Sequence, residues 1–417
     1  MKECVALDVL MAEVRQAMEP LGHSLSTRWQ YDYAWREFQV YCLTQGTPIF
    51  SCTLAEQYVC DLRHQFEEGL LKPWKFKLIR KATSVLVDYV NTGEFRWQVL
   101  SPWGTSALSG PLFRTVLRQY RQYLEDAAYG RGTQDLYAGV AKQFLQYLEQ
   151  AGILTGQAID RKHISQFIPH AAITYQPTSM RTMLSAIRHF LRFMADTGMT
   201  AGGLDSAVPR SFGRKTAIVP TLTEVEERQL LGAIDRTTAV GRRDFAIVLL
   251  ALRLGLRSVD IAQLRLADIH WRTQTLTLIQ KKTGRRLETP LLAEVGNAIV
   301  DYLLHGRPPS ASPQVFLRSQ APHIPLGTRH GITHVVRAAL NRAGIRQEPG
   351  QHRGSHILRH SLVSRLLAAE TPLAIISGVL GHAHKDTTKI YLSTDTEHLR
   401  RCALGLDDLG VAPEVTR

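Results

Sequence analysis

Ser355-His356-Ile357-Leu358-Arg359-His360-Ser361-Leu362, then Gly378-Val379-Leu380-Gly381-His382, then Lys385-Asp386-Thr387-Thr388-Lys389-Ile390-Tyr391-Leu392: the reading of these three blocks decides the reading of the whole chain. His356 and Arg359 stand three apart, so on a helix they share one face. Leu358, Leu362 and Leu366 recur every fourth position and turn a different face inward. The pattern from Thr371 to Leu380 stops at Gly381, a natural helix C-cap, and His382 follows at that break. Asp386 can cap a last short helix that carries Tyr391. Two imidazoles, a guanidinium and a phenol thus arrive on three short elements that can converge on one site.

Two more blocks lie upstream. Arg257 sits in Gly-Leu-Arg-Ser-Val-Asp, with Asp260 three residues on, and Lys282 sits in Lys-Lys-Thr-Gly-Arg. Singly, each residue has an ordinary reading. Tyr391 between Ile390 and Leu392 would be a core aromatic, Arg257 with Asp260 a salt bridge, and Lys282 a solvated turn lysine. The ordered set resembles the tyrosine recombinases, the phage integrase family. That family carries an arginine with an acid three beyond, a mobile lysine, His-x-x-Arg, Leu-Gly-His, and a tyrosine nine residues after that histidine.

The resemblance assigns roles. Arg257 and Arg359 would clamp the non-bridging oxygens of one phosphate, since the planar guanidinium fork makes paired charge-assisted bonds and stays protonated. Asp260 would orient Arg257. Tyr391 would attack; with a phenol pKa of about 10 it needs a proton acceptor. His356 is placed to accept that proton, His382 to donate to a phosphate oxygen, and Lys282 to protonate the departing 5′ oxygen. The division of proton transfer between His356 and Lys282 stays open, and His360 reads as a packing or capping residue. The product would be a 3′-phosphotyrosine and a free 5′ hydroxyl, a chemistry needing neither ATP nor metal. No cofactor is implied, and the sequence holds no P-loop and no metal-ligand spacing.

The 417 residues suffice for two or three domains, with 44% hydrophobic residues and a net charge of +13. That charge suits a polyanion, and double-stranded DNA is the expected partner. Five scattered cysteines without a Cys-x-x-Cys pair fit a reducing compartment. Residues 1–20 lack the apolar core of a signal peptide, and the longest apolar run, Phe245 to Leu252, is too short to span a bilayer. The expected location is cytoplasmic and nucleoid-associated, with no membrane partner.

Thr133, Tyr137, Phe144, Tyr147 and Gly152 repeat the spacing of Thr27, Tyr31, Phe38, Tyr41 and Gly46, offset by 106 residues, and Asn91-Thr92-Gly93 is echoed by Asp196-Thr197-Gly198. The aromatic positions and the glycine stops coincide, which reads as two copies of one helical module. The first module is expected to start a helix at Ser26 or Thr27. Between Pro111 and Ile218 stand 13 Lys or Arg against seven Asp or Glu. Arg181, Arg188 and Arg192 at helical spacing can lie along phosphates, with Arg210, Arg214 and Lys215 in a Gly- and Pro-containing basic linker.

The expected fold is mainly α: two small N-terminal helical (SAM-like) modules and an α-rich catalytic domain of the tyrosine recombinase type with a small β-hairpin. The expected boundaries are 1–105, 111–203, a basic linker at 204–218, and 219–417. The first module would bind arm sites, extend the DNA clamp or serve assembly. The tail from Thr396 to Leu409 would dock on a neighbouring protomer in a tetramer on DNA. The resemblance implies a site-specific recombinase, and the extra module suits an integrase or transposase of a mobile element. A type IB topoisomerase-like enzyme and a catalytically silent DNA-binding protein are the alternatives.

Overall fold

The computed structural model describes residues 5–95, 108, 110–175, 177–210, 219–327, 331–348, 351 and 353–381. It forms two compact units, one spanning Leu100–Lys215 and one combining Met1–Val99 with Thr216–Arg417. The helical, weakly β architecture expected from the sequence is what the chain adopts.

The first module runs β1 (Val5–Ala6), α1 (Leu7–Met18), α2 (Leu25–Thr44), β2 (Ile49–Phe50), α3 (Cys52–Glu67) and α4 (Pro73–Thr92). Helix α1 lies outside the sequence reading, although Leu7, Leu10, Met11, Val14 and Met18 line one buried face. Helix α2 starts earlier than expected: Ser24, not Ser26 or Thr27, is the N-cap, its hydroxyl accepting from the Thr27 amide at 3.2 Å. Trp35 and Phe38 are fully buried at the centre, and the Trp35 indole donates to the Ala82 carbonyl at 2.9 Å.

The second unit carries α5 (Pro111–Asp126), α6 (Arg131–Gln150), α7 (Arg161–Thr174) and α8 (Pro177–Asp196). Helices α2 and α6 are both 20 residues long, as are α4 and α8, and both α4 and α8 open on proline. The four-helix order therefore repeats, as the aromatic spacing suggested. Part of the stretch read as linker is folded onto α8. Leu204 and Val208 enter the core of this unit, and Arg192 pairs with Asp205 at 2.8 Å.

In the remaining part, Thr223 and Glu226 form the expected capping box at the start of α9 (Glu224–Gly232). Helix α10 (Ala239–Arg253) lies at the centre of this part's core, with no exposed surface from Ala246 through Leu252. Each large aliphatic side chain it buries contributes about 1.5–3 kcal/mol to the core it shares with the surrounding elements. Around it come α11 (Ser258–Gln263), β3 (Ile269–His270), β4 (Thr275–Ile279), β5 (Arg286–Pro290), α12 (Ala293–His305), α13 (Thr333–Arg342), α14 (His356–Ala368) and α15 (Leu373–Leu380). The hairpin predicted from alternating residues is present as β4 and β5, antiparallel, with Leu278 opposite Leu287; β3 adds a third strand beside β4.

Helix α14 packs on α10 and is anchored along its length. The Ser361 hydroxyl accepts from the Leu222 amide at 2.7 Å, and Arg365 donates to the Leu252 carbonyl at 2.9 Å. The Glu227 carboxylate of α9 accepts from both Arg365 and Arg253, tying three helices together. No helix among the described residues is long and apolar enough to cross a membrane.

Candidate active site

The chain delivers its functional groups from places where helices begin or end. Arg257 is the N-cap residue of α11, directly after Gly255 and Leu256. Its Nη1 lies 4.0 Å from Asp260 Oδ2, and both atoms are buried without a hydrogen-bond partner among the described residues. Asp260, 4% exposed, accepts from the Lys281 amide through Oδ1 at 3.0 Å. Burial pushes its carboxyl above the ordinary value, and the Lys281 amide, Arg257 and Arg359 pull the other way. Asp260 thus ties the Lys282 turn to the element bearing Arg257.

Arg359, on the buried side of α14, is 3% exposed. It donates through Nη2 to the Leu380 carbonyl at 2.9 Å and through Nη1 to the Gly255 carbonyl. A planar fork can span two carbonyls on different segments, which an ammonium cannot. Gly255 (φ +61°) permits the approach: a Cβ there would meet Leu362 Cδ2 at 2.9 Å and Leu380 Cδ2 at 3.0 Å.

His356 opens α14 and is solvent-facing at one edge. Its imidazole is held below the ordinary value of 6.5, first by desolvation and then by the charges of Arg359, Lys282 and Arg257. Those three cations reach His356 from α14, the hairpin turn and the start of α11, so four of the six sequence-selected residues share one electrostatic neighbourhood. His360 stacks on His356 at 6.1 Å between ring centroids, in keeping with a packing role. Lys282 is exposed in the turn between β4 and β5. His382 and Tyr391 lie outside the described residues. Helix α15 does end as expected, at Gly381 in the left-handed conformation (φ +60°).

Two contacts at this site were not read from the sequence. The Ser258 and Ser355 hydroxyls meet, joining the residue after Arg257 to the residue before His356. Gln280, fully buried, donates to the Leu380 carbonyl at 3.0 Å. A signal for Gln280 was present: directly after β4 it continues the inward alternation of Leu276 and Leu278, where an amide is out of place unless partnered.

Of the arginines selected for DNA contact, Arg181, Arg192 and Arg210 are exposed. Arg188 donates to the Val208 and Pro209 carbonyls at 3.3 and 3.0 Å, so its guanidinium is engaged within its own unit. Arg214 and Lys215 lie outside the described residues.

The buried Arg359, the part-buried Arg257 beside Asp260, the exposed Lys282 turn and a histidine of depressed basicity are thus set in a helical region with a three-stranded sheet. Residues 220–398 match the phage integrase family, and residues 117–198 match the phage integrase N-terminal SAM-like domain. The integrase/recombinase y4rA of Sinorhizobium fredii is 34% identical over 290 residues, covering 69% of this chain and 70% of that one. Tyrosine recombinase XerD of Lacticaseibacillus casei is 30% identical over 241 residues, covering 57% of this chain and 79% of that one. Among solved structures, a lambda integrase dimer bound to a COC' core site has a similar fold, with a TM-score of 0.54 at 16% identity over 81% of this chain and 89% of that one. The chain belongs to the phage integrase family, the tyrosine recombinases. It is a tyrosine-type site-specific DNA recombinase by class.

Proposed function

We propose that the protein is the integrase or transposase of a mobile element, cutting and rejoining double-stranded DNA through a 3′-phosphotyrosine. The observation that carries the strand-transfer part of this reading is that Asp260 accepts from the Lys281 amide at 3.0 Å and lies 4.0 Å from Arg257 Nη1, which makes no hydrogen bond among the described residues, beside a His356 whose basicity the charges of Arg359, Lys282 and Arg257 lower. Asp260 offsets part of the mutual repulsion of these cations, and Arg257 Nη1 can take a further anion. In this reading a scissile phosphate is that anion.

In the proposed step the Tyr391 oxygen bonds to phosphorus and the bond from phosphorus to the 5′ oxygen breaks. The phenol proton passes to His356, whose lowered basicity keeps it neutral and able to accept at pH 7. The departing 5′ oxygen takes a proton from Lys282. Arg257, Arg359 and His382 hold the charge that builds on the non-bridging oxygens. One phosphodiester replaces another, so a different 5′ hydroxyl can reverse the step.

The second unit acts as the core-binding clamp, with the exposed Arg181 and Arg210 against the backbone, and Arg192, paired with Asp205 through Nε, offering its outer nitrogens. Arg188 serves instead to hold Val208 and Pro209. We assign 1–105 to an added module and 219–417 to the catalytic domain, working as a tetramer on DNA with the 396–409 tail exchanged between protomers.

A nicked duplex bearing the site that the full chain selects from random-sequence DNA tests the proposal. Wild type traps a covalent adduct and joins two such sites, and Tyr391→Phe does neither. An adduct without joined products supports a topoisomerase, and no adduct on the selected site supports a silent binder.

A further inference from the structure

We propose that Gln280 is a positioning residue that fixes the Lys282 turn to the helix end leading into Gly381 and His382; this rests on the strand-transfer reading above. Both ends of the Gln280 amide are engaged. Its Nε2 donates to the Leu380 carbonyl at 3.0 Å, and its Oε1 accepts from the Thr283 hydroxyl at 2.9 Å. Its backbone closes the turn as well: the amide donates to the Arg285 carbonyl, and the carbonyl accepts from the Gly284 amide, each at 2.8 Å. The Leu380 carbonyl also accepts from Arg359 Nη2 at 2.9 Å. One oxygen is therefore the shared acceptor of the hairpin and of α14, at the residue before Gly381.

Fold stability alone does not call for an amide here. Gln280 is fully buried in line with Leu276 and Leu278, and an apolar side chain of similar volume would fill that position without needing partners. What the amide adds is direction, since two hydrogen bonds fix the turn against α15 where an apolar contact would let it slide. Gly381 is the complement of this contact. A Cβ there would lie 2.5–2.7 Å from the Gln280 amide atoms, so only glycine lets the helix end close on it.

Lys282 follows two residues after Gln280, and the Lys281 amide is held by Asp260 Oδ1 at 3.0 Å. The exposed lysine is thus carried on a turn clamped from both sides, by Asp260 towards Arg257 and by Gln280 towards the end of α15. Loosening the second clamp misaims the ammonium and slows protonation of the leaving oxygen while leaving the phosphate clamp in place.

The test compares adduct formation on two otherwise identical nicked duplexes, one with the ordinary 5′ bridging oxygen and one with bridging sulfur. A thiolate departs without protonation, so a defect confined to the lysine disappears on sulfur. Gln280→Met is expected to slow adduct formation about 10–100-fold on oxygen and under about 3-fold on sulfur, with Lys282→Ala showing the same pattern more strongly. Thr283→Val, which removes only the hydroxyl that holds Gln280 Oε1, gives a smaller defect of the same selectivity and guards against poor folding of the first variant. Equal slowing on both leaving groups, or an oxygen rate within about 3-fold of wild type, overturns the assignment. Failure of the strand-transfer reading itself shows differently: wild type then forms no adduct on either duplex.

Discussion

Gly381→Ala probes the junction at the end of α15, and its effect divides into two terms. Gly381 has φ +60°, where an alanine costs about 1–2 kcal/mol in left-handed backbone. The new Cβ would also lie 2.5 Å from Gln280 Nε2 and 2.6 Å from Oε1. Gln280 is buried and has no room to swing aside, so its hydrogen bonds to Leu380 and Thr283 break and a buried amide loses its partners, at about 1–3 kcal/mol. The expected total is about 2–5 kcal/mol. Gly284→Ala is the control: it shares the strain (φ +67°) but has nothing within 4 Å of its Cβ, so it should lose only about 1–2 kcal/mol. Because a chain with several cores does not unfold in one step, the measurement is amide hydrogen exchange in α10, which reports opening of the catalytic region alone. Adding Gln280→Ala to Gly381→Ala should recover part of the loss, since the collision is then absent. If Gly381→Ala costs no more than Gly284→Ala, the close packing of the amide on the helix end is wrong.

Other consequences follow from the same geometry. Glu227→Ala leaves Arg253 and Arg365 without their shared carboxylate and should destabilise this region by about 1–3 kcal/mol, read again by amide hydrogen exchange in α10, the partial exposure of both arginines tempering the loss. Arg359→Lys keeps the charge but cannot span the Gly255 and Leu380 carbonyls; adduct formation should fall at least about 100-fold, and a near-normal rate would refute the clamp. His356 titrates below 6.5, so the second-order cleavage rate should rise with pH and level off with a midpoint below 6.5, a feature lost in His356→Gln. Stability has a matching sign: between its folded pKa and 6.5 the unfolded chain binds more proton at this histidine, so acidification through that window removes stability. A midpoint at or above 6.5 would contradict the described environment.

The local elements of the candidate site were legible because residue types recur at fixed spacing along helices and turns. His356 with Arg359, Arg257 with Asp260, and Lys282 at a glycine turn each carry a local signature, and the α15 stop at Gly381 follows from helix capping alone. The repeated helix order was readable because aromatic positions and stop glycines keep register over 106 residues. The unread contacts are those between segments far apart in sequence. Gln280 and Leu380 are 100 residues apart, and Ser258 and Ser355 are 97 apart, so no periodicity couples them. Arg188 misleads for the same reason. Helical spacing shows that it faces outward from α8, but not that the chain returns to lay the Val208 and Pro209 carbonyls over it. Of the three neighbouring candidates for the α2 N-cap, Ser24, Ser26 and Thr27, Ser24 wins because its hydroxyl, in an extended backbone, reaches the Thr27 amide.

The most direct measurement is the identity of the residue that becomes joined to DNA. Full-length protein trapped on a nicked duplex carrying its selected site, digested and mapped by mass spectrometry, should show a 3′-phosphonucleotide on the peptide containing Tyr391, formed equally well with a metal chelator present. Attachment at another residue, a 5′ linkage, or cleavage that persists in Tyr391→Phe would contradict the account.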